Sequence, residues 1–184
     1  MGKESFRVYL RALEPEDYKI THEWRKDEQT WDLLGGQKRF VSSETERRWI
    51  LNAIEKHEQG KVIRLGICTK EDHQLIGQIV FSNIDYINRN CTEGRILGVE
   101  FRGKGYMKEA MILGYRYVFN ELGMERVYSR VLENNVASQK ISDKFGLKQE
   151  GVLRKAVYKN GYFKDLIVYS MLREEFYQLY RDYL

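Results

Sequence analysis

The sequence predicts an α/β (α+β) fold: one mixed sheet of about seven strands with helices on both faces. Two observations lead there. Strand-like and helix-like patterns follow one another as strand, two helices, three strands, helix, strand, helix and a closing hairpin, which is neither regular βαβ alternation nor a simple meander. No linker, repeat or low-complexity segment interrupts the 184 residues, so a single domain is expected over 1–184, with its core at about 6–172 and a tail helix at about 173–184.

The first strand is "FRVYLRAL", where Phe6, Val8 and Leu10 alternate with Arg7, Tyr9 and Arg11. Pro15, the only proline, opens the helix "PEDYKITHEWRKDEQ", with Glu16 and Asp17 at the positive end of its dipole. After the loop "DLLGGQKRFVS", Ser43 and Glu46 make a capping box for "SETERRWILNAIEKHEQG". Its apolar stripe is Trp49, Ile50, Ala53, Ile54 and His57, closed by Gly60. Three strands follow in "KVIRLGICTK", "QLIGQIVFSNID" and "TEGRILGVE". The next helix carries Met107, Met111, Gly114, Val118 and Leu122 at spacings of three and four. "ERVYSRVL" is a strand, and "NNVASQKISDKFG" is a short helix capped by Asn134 or Asn135 and closed by Gly146. Asn160-Gly161 marks a tight hairpin, and "REEFYQLYRDYL" ends the chain as a helix.

Composition narrows the function classes. Hydrophobic content of 42% and charged content of 32% belong to an ordinary folded protein, and a formal charge of +4 is thin for a nucleic-acid binder. The N-terminal stretch has no apolar h-region and no window reaches ~18 apolar residues, so neither a signal peptide nor a membrane span is expected and the cytoplasm is the default. Cys68 and Cys91 lie in strand-like runs and are expected as buried free thiols, with a disulfide as second choice. His22, His57 and His73 lack metal-ligand spacing, so no metal site is expected.

The segment "VEFRGKGYMKEAM" (99–111) is the richest in chemistry. Gly103 and Gly105 permit unusual φ/ψ and close approach to the backbone. The first amides of the following helix point outward without partners, and Arg102, Lys104 and Lys108 add charge. A dinucleotide fingerprint fails because Lys108 stands where its third glycine belongs, and the G-x-x-x-x-G-K-[ST] string of a phosphate loop is absent. A pyrophosphate nest and a plain strand-to-helix turn both remain compatible with these glycines.

Four segments together resemble the GCN5-related N-acetyltransferase (GNAT) superfamily, in the branch of ribosomal-protein-alanine and spermidine acetyltransferases. They are the opening "LRALEPEDYKITHEWRKD", the loop "EFRGKG", the later "NVASQKISDKFGL" and the ending "EGVLRKAVYKNGYFKDLIVYSMLREEF". Glu100 replaces the usual Gln or Arg of the loop, and Leu147 the usual Phe of the later motif. The resemblance implies a mostly antiparallel sheet with a splayed central parallel pair, here "GRILGV" and "ERVYSRVL". It implies acetyl-CoA as co-substrate, with its pantetheine arm between those strands and no metal.

By motif position, Leu97, Gly98 and Val99 would meet the pantetheine, with the Val99 N–H polarising the thioester carbonyl. Arg102, Gly103, Lys104, Gly105, Tyr106 and Met107 would hold the pyrophosphate, and Asn135 and Ser138 would lie nearer the thioester. Asn135 also reads as a simple helix cap. Ser142 occupies the position where relatives often carry a tyrosine acid, and could at best relay a proton through water. Glu93 is the candidate general base facing the acceptor cleft, against a plain reading as a strand-edge glutamate; Tyr128 and Tyr158 rank below it. The acceptor site is expected between "TWDLLGGQKRFVS" and "VYKNGYF", where Lys38 and Arg39 tilt the choice from a polyamine toward a protein N-terminus or an amino sugar. A non-catalytic acyl-CoA sensor and an RNA- or ribosome-binding domain are the alternatives from other classes. Monomer and homodimer are both open.

Overall fold

The computed structural model describes residues 6–183, so residues 1–5 and Leu184 of the expected domain lie outside the described residues. Seven strands form one sheet in the order β1-β2-β3-β4-β5-β7-β6. They are β1 (Val8–Ala12), β2 (Ile63–Thr69), β3 (Leu75–Asp85), β4 (Asn90–Leu97), β5 (Arg126–Leu132), β6 (Lys148–Lys159) and β7 (Tyr162–Leu172). Every neighbouring pair is antiparallel except β4 and β5, which run parallel. Helices α1 (Tyr18–Lys26), α2 (Glu28–Leu33) and α3 (Ser43–Glu58) come before β2; α4 (Tyr106–Asn120), α5 (Val136–Phe145) and α6 (Arg173–Leu179) come after β4.

The parallel ladder is short. It pairs Asn90 with Arg126 and ends at Glu93 with Ser129, although β4 continues to Leu97 and β5 to Leu132. Beyond Glu93 the two strands therefore form a fork in the middle of the sheet. On one face α4 is apolar almost all round, burying Ala110, Met111, Tyr115, Val118 and Phe119 completely. Tyr115 meets Phe145 edge-on with ring centroids 5.1 Å apart, and Phe145 stacks on Tyr180 at 4.7 Å. Phe176 of α6 is fully buried in the same cluster, so the C-terminal tail belongs to the core. A smaller cluster of Leu13, Ile50 and Ala53 secures α3.

Three local expectations shift. The first helix breaks at Asp27, whose extended backbone ends α1 and whose carboxylate accepts from the Thr30 amide at 3.1 Å to start α2. The N-cap of α3 is Ser42, accepting from the Thr45 amide, and not Ser43. That one-residue shift moves Glu46 past the capping-box position and onto the inner face, where Thr21 (2.8 Å) and Arg25 donate to it. The tail helix is shorter than expected, ending at Leu179 before a 3-10 turn at Arg181–Tyr183. The closing hairpin matches its signal: Asn160 (φ 52°) and Gly161 (φ 83°) both adopt the left-handed conformations of a type I′ turn.

Cys68 and Cys91 are both free and fully buried. Burial, and then the charge of Glu93, push the Cys91 thiol up to about 12. A thiol-specific reagent should therefore find no reactive cysteine in the native protein and two after unfolding; modification under native conditions would contradict this packing.

Candidate active site

The fork opens into a cleft of about 470 Å³ between β4, the glycine turn, α2 and α5. After Leu97 the chain makes a 3-10 turn at Val99–Phe101 and reaches Gly103 (φ 75°) and Gly105 (φ 86°), both left-handed. An L side chain at either φ is strained, which is the physical reason for glycine here. Gly105 caps α4, and its carbonyl accepts from the amides of Lys108 (3.1 Å) and Glu109 (3.4 Å). Among the described residues the amides of Gly103, Lys104, Gly105, Tyr106 and Met107 find no acceptor. Five free N–H groups at the positive end of a buried helix form an anion-binding nest. Lys108, Lys140 and Lys144 stand on the cleft wall beside it.

Leu97, Arg102, Gly103, Gly105, Met107, Asn135 and Ser138 come together on the wall of that one cleft. Their side chains do not all point at a ligand. The guanidinium of Arg102 folds back to donate to the Leu97 carbonyl at 3.1 and 3.2 Å and to Thr30. Asn135 caps α5 by accepting from the Ser138 amide (3.0 Å), while its Nδ2 donates to the Leu33 carbonyl (2.8 Å), tying α5 to α2. Gly98, Val99, Lys104 and Tyr106 are absent from the wall. The ammonium of Lys104 lies over the Phe101 ring, and the Tyr106 ring lies under the Arg7 guanidinium at 4.6 Å, so both side chains serve the outside of the turn.

The two expected catalytic residues are buried. Strand alternation puts Gly94 and Ile96 on one face of β4, and Glu93 with Arg95 on the face covered by α4 and α5. Glu93 is 3% exposed and faces no open cleft; its Oε2 accepts from Arg95 Nη1 at 2.9 Å and its Oε1 has no partner among the described residues. Burial raises its pKa, with Arg95 pulling it back. Ser142 is fully buried, donates to the Ser138 carbonyl (3.0 Å) and accepts from Arg95 Nη2 (2.7 Å). Tyr128 and Tyr158 line neither cleft.

Arg95 is the residue that motif reading missed. It links Glu93, Ser138 and Ser142, and among the described residues it is the one charged residue that borders both clefts. The second cleft, about 390 Å³, lies across β4 and is lined by all three tryptophans, Trp24, Trp31 and Trp49. Leu34, Arg95 and Ile96 border both cavities, so the two meet at the fork. An arginine in the otherwise apolar "GRILGV", two residues from a glutamate, was the available signal for a same-face pair. The expected acceptor segments do meet: Lys159 Nζ donates to the Leu34 and Gly36 carbonyls (2.7 and 2.8 Å), and Asn160 Nδ2 to Asp32 (2.9 Å).

A forked parallel pair, a free-amide turn on one side and a second cleft on the other meet at one junction, an arrangement with room for an anionic ligand and a second molecule. The match to known families agrees: residues 7–148 fit the family model described as "Acetyltransferase (GNAT) domain". The chain belongs to the GNAT family of N-acetyltransferases. It is 32% identical over 169 residues to the SPbeta prophage-derived uncharacterized N-acetyltransferase YokL of Bacillus subtilis, covering 91% of this chain and 90% of that protein. Two solved structures share the fold. The spermidine N-acetyltransferase from Vibrio cholerae in complex with CoA and spermine superposes with TM-score 0.83 at 22% identity, over 92% of this chain and 98% of that one. RimL, a ribosomal L7/L12 alpha-N-protein acetyltransferase in complex with coenzyme A, gives 0.84 at 21%, over 93% and 97%. Among the described residues no helix is long and apolar enough to cross a membrane, and no group of His, Cys, Asp and Glu is arranged to hold a metal.

Proposed function

We propose that the chain transfers acetyl from acetyl-CoA to a primary amine, a protein N-terminus or a small amine, by direct attack in a ternary complex. The observation that carries this reading is the junction itself: a cleft ending in five unpartnered amides meets a second cleft at Leu34, Arg95 and Ile96. The free amides of 103–107, with Lys108, Lys140 and Lys144, suit a pyrophosphate, and the unpaired stretch of β4 suits an extended pantetheine arm. The Val99 amide, which has no acceptor among the described residues, is available to the thioester carbonyl.

Acetyl-CoA supplies a thioester carbon; the neutral amine forms the new C–N bond to it, the C–S bond breaks, and the amine's surplus proton leaves to water. Arg95 is the side chain positioned to meet negative charge that develops where the clefts join, on the carbonyl oxygen or the departing thiolate. Ser142 keeps Arg95 in place, since its own proton is held by the Ser138 carbonyl. A thiolate of pKa ~8.5 can leave with such electrostatic help and without a phenol acid.

Saturating acetyl-CoA is expected to raise the melting temperature, because a ligand bound only by the native state stabilises it. Thiol release should then follow on adding an amine from a panel of polyamines, amino sugars and N-terminal peptides. No thermal shift would count against the cofactor cleft. A shift without thiol release from any amine would instead support an acyl-CoA sensor.

A further inference from the structure

The second cleft carries charge of a definite sign. Glu46 is its buried carboxylate, and it is already used by Thr21 and Arg25. Arg25 lies over Trp31 and Trp49 at 5.1 and 5.0 Å. Arg64 lies on Trp49 at 4.8 Å and, among the described residues, has no carboxylate partner. Among the described residues its side chain makes one hydrogen bond, from Nη1 to Gln78 Oε1 at 3.1 Å. Burial, and then the nearby charge of Arg25, lower its pKa to about 10, so it stays cationic at neutral pH.

Gln78 supplies a second, independent sign. It is 4% exposed on the wall of this cleft; its oxygen accepts from Arg64, and its Nε2 has no acceptor among the described residues. A buried donor left unpaired is costly. Arg64 and Gln78 thus present adjacent N–H groups that need a planar anionic acceptor, and a carboxylate fits a guanidinium in that way. A polyamine would bring further cations toward Arg25 and Arg64 and be repelled.

We propose that this cleft selects an acceptor whose primary amine shares a molecule with a carboxylate, held by Arg64 and Gln78 while the amine reaches the junction at Arg95. The proposal rests on the amine-acetylation reading above and narrows its substrate class. The carboxylate can belong to a free amino acid or to an acidic residue beside a peptide N-terminus, and the tryptophans enclose the apolar part in either case.

The test uses matched pairs: β-alanine against β-alaninamide, and the peptide amides Ala-Glu-Gly against Ala-Gln-Gly. Thiol release should favour the acidic member of one pair by at least ~10-fold in kcat/KM, the scale of a hydrogen-bonded charge; which pair responds distinguishes the two sources. Arg64→Met should bring that ratio close to one. Gln78→Glu, which keeps the side-chain volume and neutralises Arg64, should do the same if the first variant folds poorly. Equal rates within both pairs, a preference for the amides, or an unchanged ratio in both variants would overturn the proposal. Tryptophan fluorescence gives a readout without turnover. Saturable quenching by the acidic member, lost in the variants, supports the carboxylate site even if no amine is acetylated. Absence of saturable quenching together with equal rates sinks the site while leaving acetyl transfer standing.

Discussion

Arg95→Met is expected to destabilise the protein by about 3–5 kcal/mol, because it leaves the buried Glu93 carboxylate without its cation. Glu93 is 3% exposed and one of its oxygens is already unpartnered in the intact pair. The loss depends on pH with a determinate sign. Burial raises the pKa of Glu93 above its ordinary 4.5, and without Arg95 nothing pulls it back. Between the unfolded and the raised folded value the native state holds a proton that the unfolded chain has released, so stability falls as pH rises through that window. The variant should therefore be weakest near neutrality and regain stability toward pH ~4, as read by denaturant midpoints at several pH values. A midpoint difference from the parent that does not change with pH would remove the unpaired carboxylate as its cause. The double variant Glu93→Gln/Arg95→Met should recover most of the stability while kcat stays ~10²–10³-fold low, the range for losing one electrostatic stabiliser. Recovery of kcat along with stability would make Arg95 a structural residue only.

Gly105→Val is expected to weaken acetyl-CoA binding by at least ~10-fold, the loss that accompanies one or two hydrogen bonds to a charged group. Steric contact is mild at this position: a Cβ there would sit 3.1 Å from Arg7 Nη2, the movable end of a side chain. Conformation decides instead. At φ 86° a β-branched residue costs about 1–3 kcal/mol. Either the turn persists at that cost, lowering the melting temperature by several degrees, or it relaxes and rotates the free amides of 105–107 away from the cleft. Gly103→Ala, at φ 75° with open space around its Cβ, isolates the backbone strain from any clash. Unchanged affinity for acetyl-CoA in Gly105→Val, measured by calorimetry, would reduce the loop to a connection between strand and helix.

Features set by local sequence were legible. The type I′ turn at Asn160-Gly161, the left-handed glycines before α4 and the stripe Met107, Met111, Gly114, Val118 each follow from a few adjacent residues, and each has its counterpart in the structure. The splayed parallel pair needed the motif resemblance as well, and the strand order and the four-residue length of the ladder came only with the structure, because long-range pairing leaves no local mark. What escaped depends on which way a side chain turns. Glu93 and Arg95 sit on the covered face of β4 because Gly94 and Ile96 take the other, and a one-residue ambiguity in register exchanges those faces. The cap at Ser42 and the inward turn of Glu46 differ from the expected box by the same single residue. The three tryptophans come from α1, α2 and α3, and only packing brings them into one cleft.

The fork has a cost of its own in a crowded solution. Strand edges normally lie at a sheet's periphery, where charges, prolines or short lengths discourage foreign strands from docking. Here an edge lies in the middle, and half of the backbone groups of residues 94–97 turn away from β3 into the gap. Arg102 stoppers it by donating twice to the Leu97 carbonyl while Thr30 anchors its far end. An extended ligand that seeks that carbonyl competes with a tethered guanidinium, and a stray peptide with the same backbone groups meets the same competitor. Arg102 thus occupies the carbonyl that any incoming strand would need at the open end of the fork.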